Sequence, residues 1–155
     1  MDRIPKGGMC LSVFLILRKQ HRRNVLAGKV NAEYDWVRVG ALSKETATKV
    51  SQGWMRPSSH LLLYESPHDA AHRVLREQLR LEWDDLQSVN FHVFSEAYSK
   101  PRHWDIEFVF QGEIRKELPT GNPAWTELKF LRIDTIGASQ FARNHQDILA
   151  ELGVR

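Results

Sequence analysis

The sequence lacks the features that mark disulfide-rich secreted proteins and membrane-spanning proteins. Cys10 is the single cysteine, so the chain cannot form an internal disulfide, and its place in an apolar run predicts a buried, unreactive thiol. That run, residues 9–17, is far shorter than the about twenty residues that a membrane-spanning helix requires, and no small-residue cleavage site follows it. We therefore expect a soluble protein in a reducing, cytoplasmic setting, with the run forming a buried strand.

The chain also lacks internal repeats, low-complexity tracts and linker-like segments. Its 155 residues, 42% of them hydrophobic, suffice for one core of ordinary size, which predicts a single domain over residues 1–155. The 22 basic and 19 acidic side chains give a formal net charge of +3 that is spread along the chain. This balance mildly favours a small anionic ligand, and it gives no reason to expect a specific nucleic acid or a membrane as partner.

The hydrophobic pattern predicts a mixed sheet with helices packed on it. Apolar or alternating runs indicate strands at 9–18, 25–31, 89–97, 103–113 and 127–133. The first two of these strands lie close in sequence across a basic turn, so we expect them to pair as a hairpin.

Three helices are predicted. The clearest covers residues 67–80, because Ser66 suits the N-cap, Pro67 suits the first helical position and Asp69 can complete a capping box. A short helix is expected over 43–52, after a serine N-cap, and another over 139–152, where apolar residues recur at helical spacing.

The region 54–81 resembles the Nudix box, a motif written G-x5-E-x7-R-E-U-x-E-E-x-G-U. The matching residues are Trp54, Pro57, Glu65, Ser66, Pro67, Ala70, Ala71, Arg73, Leu75, Glu77 and Leu81. The order of strands, loops and helices also agrees with this family over nearly the whole chain. The resemblance implies an α+β fold, a Nudix-like α/β/α sandwich with a mixed β-sheet, with an insertion at about 32–53 and the box at about 59–81.

The resemblance breaks at the residues that hold metal in active Nudix enzymes. The family's box helix presents three glutamates that bind the divalent cations bridging the pyrophosphate, whereas these positions here are Val74, Glu77 and Gln78. One glutamate beside a neutral amide is a poor ligand set for Mg²⁺ or Mn²⁺, which prefer carboxylate oxygens. Tyr64 and Arg80 replace family glycines, and because they disfavour glycine-like backbone conformations we expect the loop before the helix to be altered in shape.

Four glutamates are candidates for metal binding or catalysis. Glu77 is the leading candidate for both, although its spacing from Arg73 also suits a surface ion pair. Glu65 is a second candidate metal ligand, and it would also act as a favourable charge at the helix N-terminus. Glu113 and Glu117 are candidate catalytic residues because some Nudix enzymes take their base from a loop in the second half of the chain.

The candidate ligand-binding residues are Trp36, Arg38, Arg56 and Arg102. The tryptophan could stack on a base, although large aromatic side chains more often belong to a core. The arginines could hold phosphates by charge-assisted hydrogen bonds, and the closeness of Arg56 to Trp54 gives it the most weight. His68 and His72 have a spacing that suits zinc, but on a helix they project away from the face of Glu77, towards solvent.

Three functions remain open from the sequence. The leading hypothesis is a divergent Nudix domain that binds a nucleoside-diphosphate-linked small molecule, with hydrolysis weak or lost and no cofactor. An alternative is a working hydrolase that uses Mg²⁺ or Mn²⁺, with Glu77 and acids from outside the box. The third is a regulatory or protein-interaction domain whose interface is the segment 32–53. The oligomeric state is open as well, a homodimer included.

Overall fold

The computed structural model describes residues 8–19, 23–39, 41–96, 104–135, 137 and 140–142 of the 155-residue chain. Within these residues there are six strands: β1 (Met9–Lys19), β2 (Asn24–Val30), β3 (Ser58–His60), β4 (Leu86–Glu96), β5 (Trp104–Ile114) and β6 (Trp125–Arg132). The helices are α1 (Lys44–Val50) and α2 (Pro67–Val74), the latter extended by a π-helical turn, Leu75–Leu79. Short 3₁₀ turns lie at Trp83–Asp85 and Ile133–Thr135. Among the described residues, no helix is long and apolar enough to cross a membrane.

The strands form two sheets. In the larger sheet the order is β3-β1-β5-β4, with β1 parallel to β5 and every other pairing antiparallel. The smaller sheet pairs β2 with β6 in antiparallel fashion. The mixed sheet and the α+β class expected from the sequence are therefore confirmed.

The predicted hairpin between the first two strands is wrong, although both strands are present. β2 pairs with β6, about a hundred residues later, with Leu26 opposite Phe130. Val25, Leu26 and Ala27 are consecutive and all fully buried, so β2 lies between packed layers on both of its faces. Burial of both faces favours pairing with β6 more than the short sequence separation favours pairing with β1. The prediction failed because it used only the sequence separation.

Local sequence signals determine where both helices begin. Ser43 caps α1, its hydroxyl accepting a hydrogen bond from the Thr46 N–H at 3.1 Å, which confirms the helix predicted at 43–52. At α2 the capping box is complete: Ser66 Oγ accepts from the Asp69 N–H at 3.1 Å, and the Asp69 carboxylate accepts from the Ser66 N–H at 3.2 Å.

The helix predicted at 139–152 lies mostly outside the described residues. At residues 140–142 the chain runs beside Trp54, whose N–H donates to the Gln140 carbonyl at 2.8 Å and whose carbonyl accepts from the Ala142 N–H at 3.0 Å.

The main core lies between α2 and one face of the larger sheet. Alternate residues of β1, namely Val13, Leu15 and Leu17, pack against Ala70, Ala71, Val74 and Leu75 of the helical segment. A second cluster gathers around Trp36 and Trp125 beneath α1. The second cluster meets the end of the box helix through hydrogen bonds, since Trp125 Nε1 donates to the Gln78 carbonyl at 2.7 Å and the Tyr34 hydroxyl donates to the Glu77 carbonyl at 3.4 Å.

Candidate functional site

Arg73 joins the loop before the helix to the body of the site. Its guanidinium forms a two-point ion pair with Glu65, Nε to Oε1 at 2.7 Å and Nη2 to Oε2 at 2.9 Å. It also donates to the Val39 carbonyl, to Ser59 Oγ at 3.1 Å and to the His60 carbonyl at 2.9 Å. Both charged side chains are only 11% exposed, so this pair and its hydrogen bonds fix β3, the loop and the helix relative to one another.

The environment of Glu65 favours its ionised form. Burial alone would raise the pKa of this carboxyl, but the hydrogen bond from Arg73, the Leu62 N–H at 2.8 Å and the arginine charge outweigh it and lower the pKa below 4.5. Both oxygens of Glu65 are thereby engaged within the protein. This favours the structural role for Glu65 over the role of a metal ligand.

Gln78, at a metal-binding position of the family motif, is used to hold a strand. It is 1% exposed, its Nε2 donates to the Ser58 carbonyl at 2.7 Å, and its Oε1 accepts from the Ser58 N–H at 3.3 Å. An amide can do both because it carries a donor and an acceptor, whereas a carboxylate could only accept. The glutamine is therefore a structural partner of β3.

The π-helical turn fixes the backbone at the same point. The Gln78 carbonyl accepts from Trp125 Nε1 at 2.7 Å and from Asn122 Nδ2 at 2.5 Å, so the end of the helix is tied to the start of β6. The wider turn changes the angular spacing of the side chains after Val74 from that of a regular α-helix.

Glu77 is the only acidic residue of the three positions, and it lies at the edge of the site. Its side chain is 29% exposed, and its Oε2 has no hydrogen-bond partner and lies 3.8 Å from Arg73 Nη1. Val74 is fully buried in the core beneath the helix. Within the described ranges, no three His, Cys, Asp or Glu side chains cluster in a way that could hold a metal ion. The residues present therefore do not fit the divalent cations that the family motif implies.

Tyr64 and Arg80, which replace family glycines, both adopt left-handed backbone conformations, with φ of 67° and 56°. The altered loop shape that we expected from these replacements is therefore not required, because the backbone keeps the glycine-like conformation at both positions. A non-glycine residue in this region is strained by about 1–2 kcal/mol.

Two further predicted acids lie apart from the helix. Glu113 is near the end of β5, where its Oε2 accepts from Gln87 Nε2 at 3.0 Å. Glu117 is exposed and pairs with Lys19 Nζ at 2.5 Å. Both contacts are made with residues outside the box.

The structure separates the predicted ligand-binding residues. Trp36 is 2% exposed, packed edge-on against Tyr34 and Trp125 at centroid distances of 5.1 and 5.4 Å, which favours the core role that the sequence left open. Arg56 is fully buried, whereas Arg38 is exposed and lies 3.8 Å from Asp35. Arg102 lies outside the described residues. Among the three that the structure describes, Arg38 is the residue that it presents to solvent.

An aromatic cluster on the outer side of α2 was not predicted. The His72 ring stacks on Trp83 with centroids 4.6 Å apart and planes 8° from parallel, and His68 contacts the same indole at 4.6 Å. Burial, followed by the charges of His68 and Arg76, lowers the pKa of His72 below 6.5. His68 is exposed as expected, but His72 is half-buried because Trp83, in the 3₁₀ turn that follows the helix, stacks on its ring.

A small cleft lies beside β3. It measures about 30 Å³ and is lined by Ser12, Phe14, Ala41, Ser58, Ser59 and His60. Ser12 Oγ and His60 Nδ1 are 3.2 Å apart across its floor. Ser58 and Ser59 of this lining belong to β3, and that strand, three residues long, gave no strand pattern in the sequence. The cleft has room for about one water molecule.

Comparison with known proteins identifies the fold. No family model and no curated protein matches the sequence, but 310 chains of solved structures match. A Nudix hydrolase from Nitrosomonas europaea is 14% identical with a TM-score of 0.61, over 94% of this chain and 90% of that one. The Nudix domain of Shewanella oneidensis NrtR, solved with ADP-ribose, is 12% identical with a TM-score of 0.64, over 98% and 92%.

A third similar structure is the dihydroneopterin triphosphate pyrophosphohydrolase of E. coli, 13% identical with a TM-score of 0.58, over 90% of this chain and 92% of that one. The alignments extend over nearly all of each chain at sequence identities that carry little information by themselves. These structural alignments, together with the mixed sheet and the capped helix whose Arg73 pairs with Glu65, show that this chain has the Nudix fold.

Proposed function

We propose that this chain is a Nudix-fold domain that binds a nucleoside-diphosphate-linked small molecule and hydrolyses it weakly or not at all. The observation that carries the proposal is the two-point contact of the Gln78 amide with the Ser58 backbone. Metal binding would need a carboxylate at position 78. The residue there instead has a structural role, and a carboxylate could not perform that role because it cannot donate a hydrogen bond. In this proposal the ligand is held without Mg²⁺ or Mn²⁺, and the protein works in the cytoplasm.

Loss of charge at the remaining positions supports weak hydrolysis. Val74 is in the core, and Glu65 is engaged by Arg73, so Glu77 is the acid of the box that keeps an oxygen without a hydrogen bond. A single carboxylate would leave a bridging cation to be held almost wholly by the substrate's own phosphates. Efficient metal-dependent catalysis is not expected from that ligand set.

The ligand class is inferred from the fold and from the surroundings of the cleft. The NrtR domain with the same fold was solved with ADP-ribose. In this chain the segment carrying the exposed Arg38 passes beside the cleft, since the Val39 carbonyl accepts from Ser59 Oγ at 3.3 Å and Ala41 lines the opening. A diphosphate placed across the opening would meet the Arg38 guanidinium, which suits phosphate oxygens. The cleft itself is too small for a nucleoside.

Binding and turnover should be measured separately. Isothermal titration with ADP-ribose in chelator-treated buffer should give heat of binding, and Arg38→Ala should weaken the affinity about tenfold, as expected for loss of one charge-assisted contact. Arg132→Ala is the matched control because Arg132 is also exposed and ion-paired, to Asp134, but lies on β6. Equal weakening by both variants would place the ligand elsewhere.

Hydrolysis of ADP-ribose, NADH and dinucleotide polyphosphates should then be assayed with Mg²⁺ and with Mn²⁺. Efficient turnover of any of them contradicts the proposal. If turnover is also abolished by Glu77→Gln, the function is that of a working hydrolase built on Glu77, the alternative that the sequence left open. A ligand that binds the native state must raise its thermal stability. Absence of turnover, together with no rise in thermal stability when these ligands are added, would favour an interaction domain.

A further inference from the structure

One corner of the larger sheet is apolar and uncovered. On the face that α2 covers, the helix packs over Val13, Leu15 and Leu17, while the same face continues beyond it to Met9 and Leu11 on β1. Four of its side chains are among the most exposed large hydrophobic residues of the protein: Met9 at 44%, Leu11 at 37%, Phe91 at 49% and Val93 at 53%. We call these four residues the apolar corner.

The strand register makes the apolar corner one surface. Leu11 lies opposite Ile106, and Val93 lies opposite Phe108, so half-buried β5 side chains fill the space between the exposed residues of β1 and β4. Phe91 stacks parallel to Phe108, with centroids 6.2 Å apart. A continuous exposed apolar surface of this kind on a folded domain usually marks an interaction site.

β4 forms the border of this surface, and its edge is open among the residues that the structure describes. Natural proteins protect such edges with lysine, proline or a bulge. From Leu86 to Glu96 this strand has no lysine, arginine or proline, and its one irregularity lies between Gln87 and Asn90. Residues 91–95 therefore form a regular, uncharged stretch with apolar side chains in alternation.

We propose that β4 pairs antiparallel with β4 of a second copy of this chain, about a two-fold axis at His92. In this register Phe91 lies opposite Val93 of the second copy, and the reverse pair forms on the other side of the axis, so both exposed side chains are covered. The absence of lysine and arginine along β4 removes the repulsion between permanent positive charges that would oppose self-pairing. The two copies of Glu96 lie at opposite ends of the pair.

The contact made by this pairing is narrow, whereas a stable interface buries about 800 Å² on each partner. Met9 and Leu11 lie on β1, two strands inward from β4, so a second copy that continues the sheet covers Phe91 and Val93 and leaves Met9 and Leu11 uncovered. We therefore expect a dimer that dissociates in the micromolar range. The interaction therefore goes beyond the proposed ligand binding and is independent of it.

Sedimentation velocity over about two decades of micromolar protein concentration tests the proposal. The unchanged protein should be dimeric at the upper end, and Val93→Lys should raise the dissociation constant at least about tenfold. Val37→Lys is the matched control, since Val37 is 63% exposed but lies in the turn before α1, and it should leave the dimer intact. A monomer at every concentration overturns the proposal, and so does equal dissociation of both variants.

A second variant and a cross-link guard against misfolding of Val93→Lys. Asn90→Lys places a charge at an exposed position on the other face of the same strand and should also dissociate the dimer. In a Cys10→Ser background, His92→Cys should form a covalent dimer under mild oxidation, because the two-fold axis brings the two thiols together. A dimer that persists in both lysine variants, or that gives no cross-link, rules out this pairing.

Discussion

The two halves of the box helix differ in what they contribute. In α2 the capping box and Arg73 hold the helix, the preceding loop and β3 together through charged groups. In the π-helical turn that follows, the side chains of Leu75, Gln78 and Leu79 are buried and Glu77 is at the edge. The part of the motif that builds the fold and the part that would bind metal are therefore separable, since the first is complete here without the second.

Removing Arg73 should break the first half. Arg73→Met keeps the length of the side chain but leaves the Glu65 carboxylate buried without its partner, so the free energy of unfolding should fall by about 3–5 kcal/mol. Urea denaturation measures this, with Arg76→Met as the control because Arg76 is exposed on the same helical segment. Equal effects of the two variants would mean that the ion pair contributes little.

The same ion pair should give a pH signature. Because the pKa of Glu65 is lowered below 4.5 in the folded protein, its contribution is present above pH 4.5 and is lost as the pH falls through the folded-state pKa. The stability difference between the unchanged protein and Glu65→Gln should therefore be constant near neutral pH and shrink on acidification. A difference that grows on acidification would contradict this assignment.

Restoring a carboxylate at position 78 tests whether the π-helical turn can still bind a divalent metal ion. Gln78→Glu removes the donor that the Ser58 carbonyl requires and buries a charge, so stability should fall by about 1–3 kcal/mol. Gln52→Glu, at an exposed position, should be nearly neutral. Recovery of stability on adding Mn²⁺ would show that the turn retains a metal-binding geometry, and the separation of the two halves would then be less complete.

The end of the helix carries strain that can be relieved. Arg80→Gly should raise the free energy of unfolding by about 1 kcal/mol, because glycine adopts a φ of 56° without steric penalty. Arg76→Gly, inside the helical segment, should instead lower it by about 1 kcal/mol. Thermal and urea unfolding check both signs, and stabilisation by the second variant would contradict the conformational explanation.

The smallest expected effect concerns the outer side of α2. Since burial lowers the pKa of His72 below its ordinary value of 6.5, the unfolded chain binds the proton more readily, and stability should decrease as the pH falls from 6.5 through the folded-state pKa. His72→Phe keeps an aromatic ring against Trp83 and should lack this part of the pH dependence. Unfolding curves between pH 5 and 8 would show the difference, and identical profiles would contradict it.

Local signals made much of the fold predictable. The start of α2 follows from Ser66, Pro67 and Asp69, which act within four residues of one another, and all three are placed as expected. The β1 run was found because a strand buried on both sides is apolar throughout. By contrast, the partner of β2 lies about a hundred residues away, and no local pattern distinguishes β6 from β1 as that partner.

The candidate site was less predictable because its geometry depends on long-range contacts. The Arg73–Glu65 pair had a usable signal, since both residues belong to the E-x7-R part of the motif, yet Glu77 was the nearer partner in a helical projection. The contact between Gln78 and Ser58 had no signal in the sequence, because a glutamine at position 78 reveals only the loss of a negative charge. Burial of Trp36 likewise depends on Trp125, which is far away along the chain but in contact with it in the fold.

The contact between Gln78 and Ser58 has a consequence for the shape of any assembly. The Leu15 N–H donates to the Pro57 carbonyl and the Leu61 N–H to the Leu11 carbonyl, so the peptide groups of Ser58 point outward from the sheet. The glutamine amide satisfies them as a strand residue would, and it occupies the margin of β3. A sheet sealed at this margin and, among the residues described, open at β4 can join one other copy and then stop, which favours a closed pair over an endless fibre.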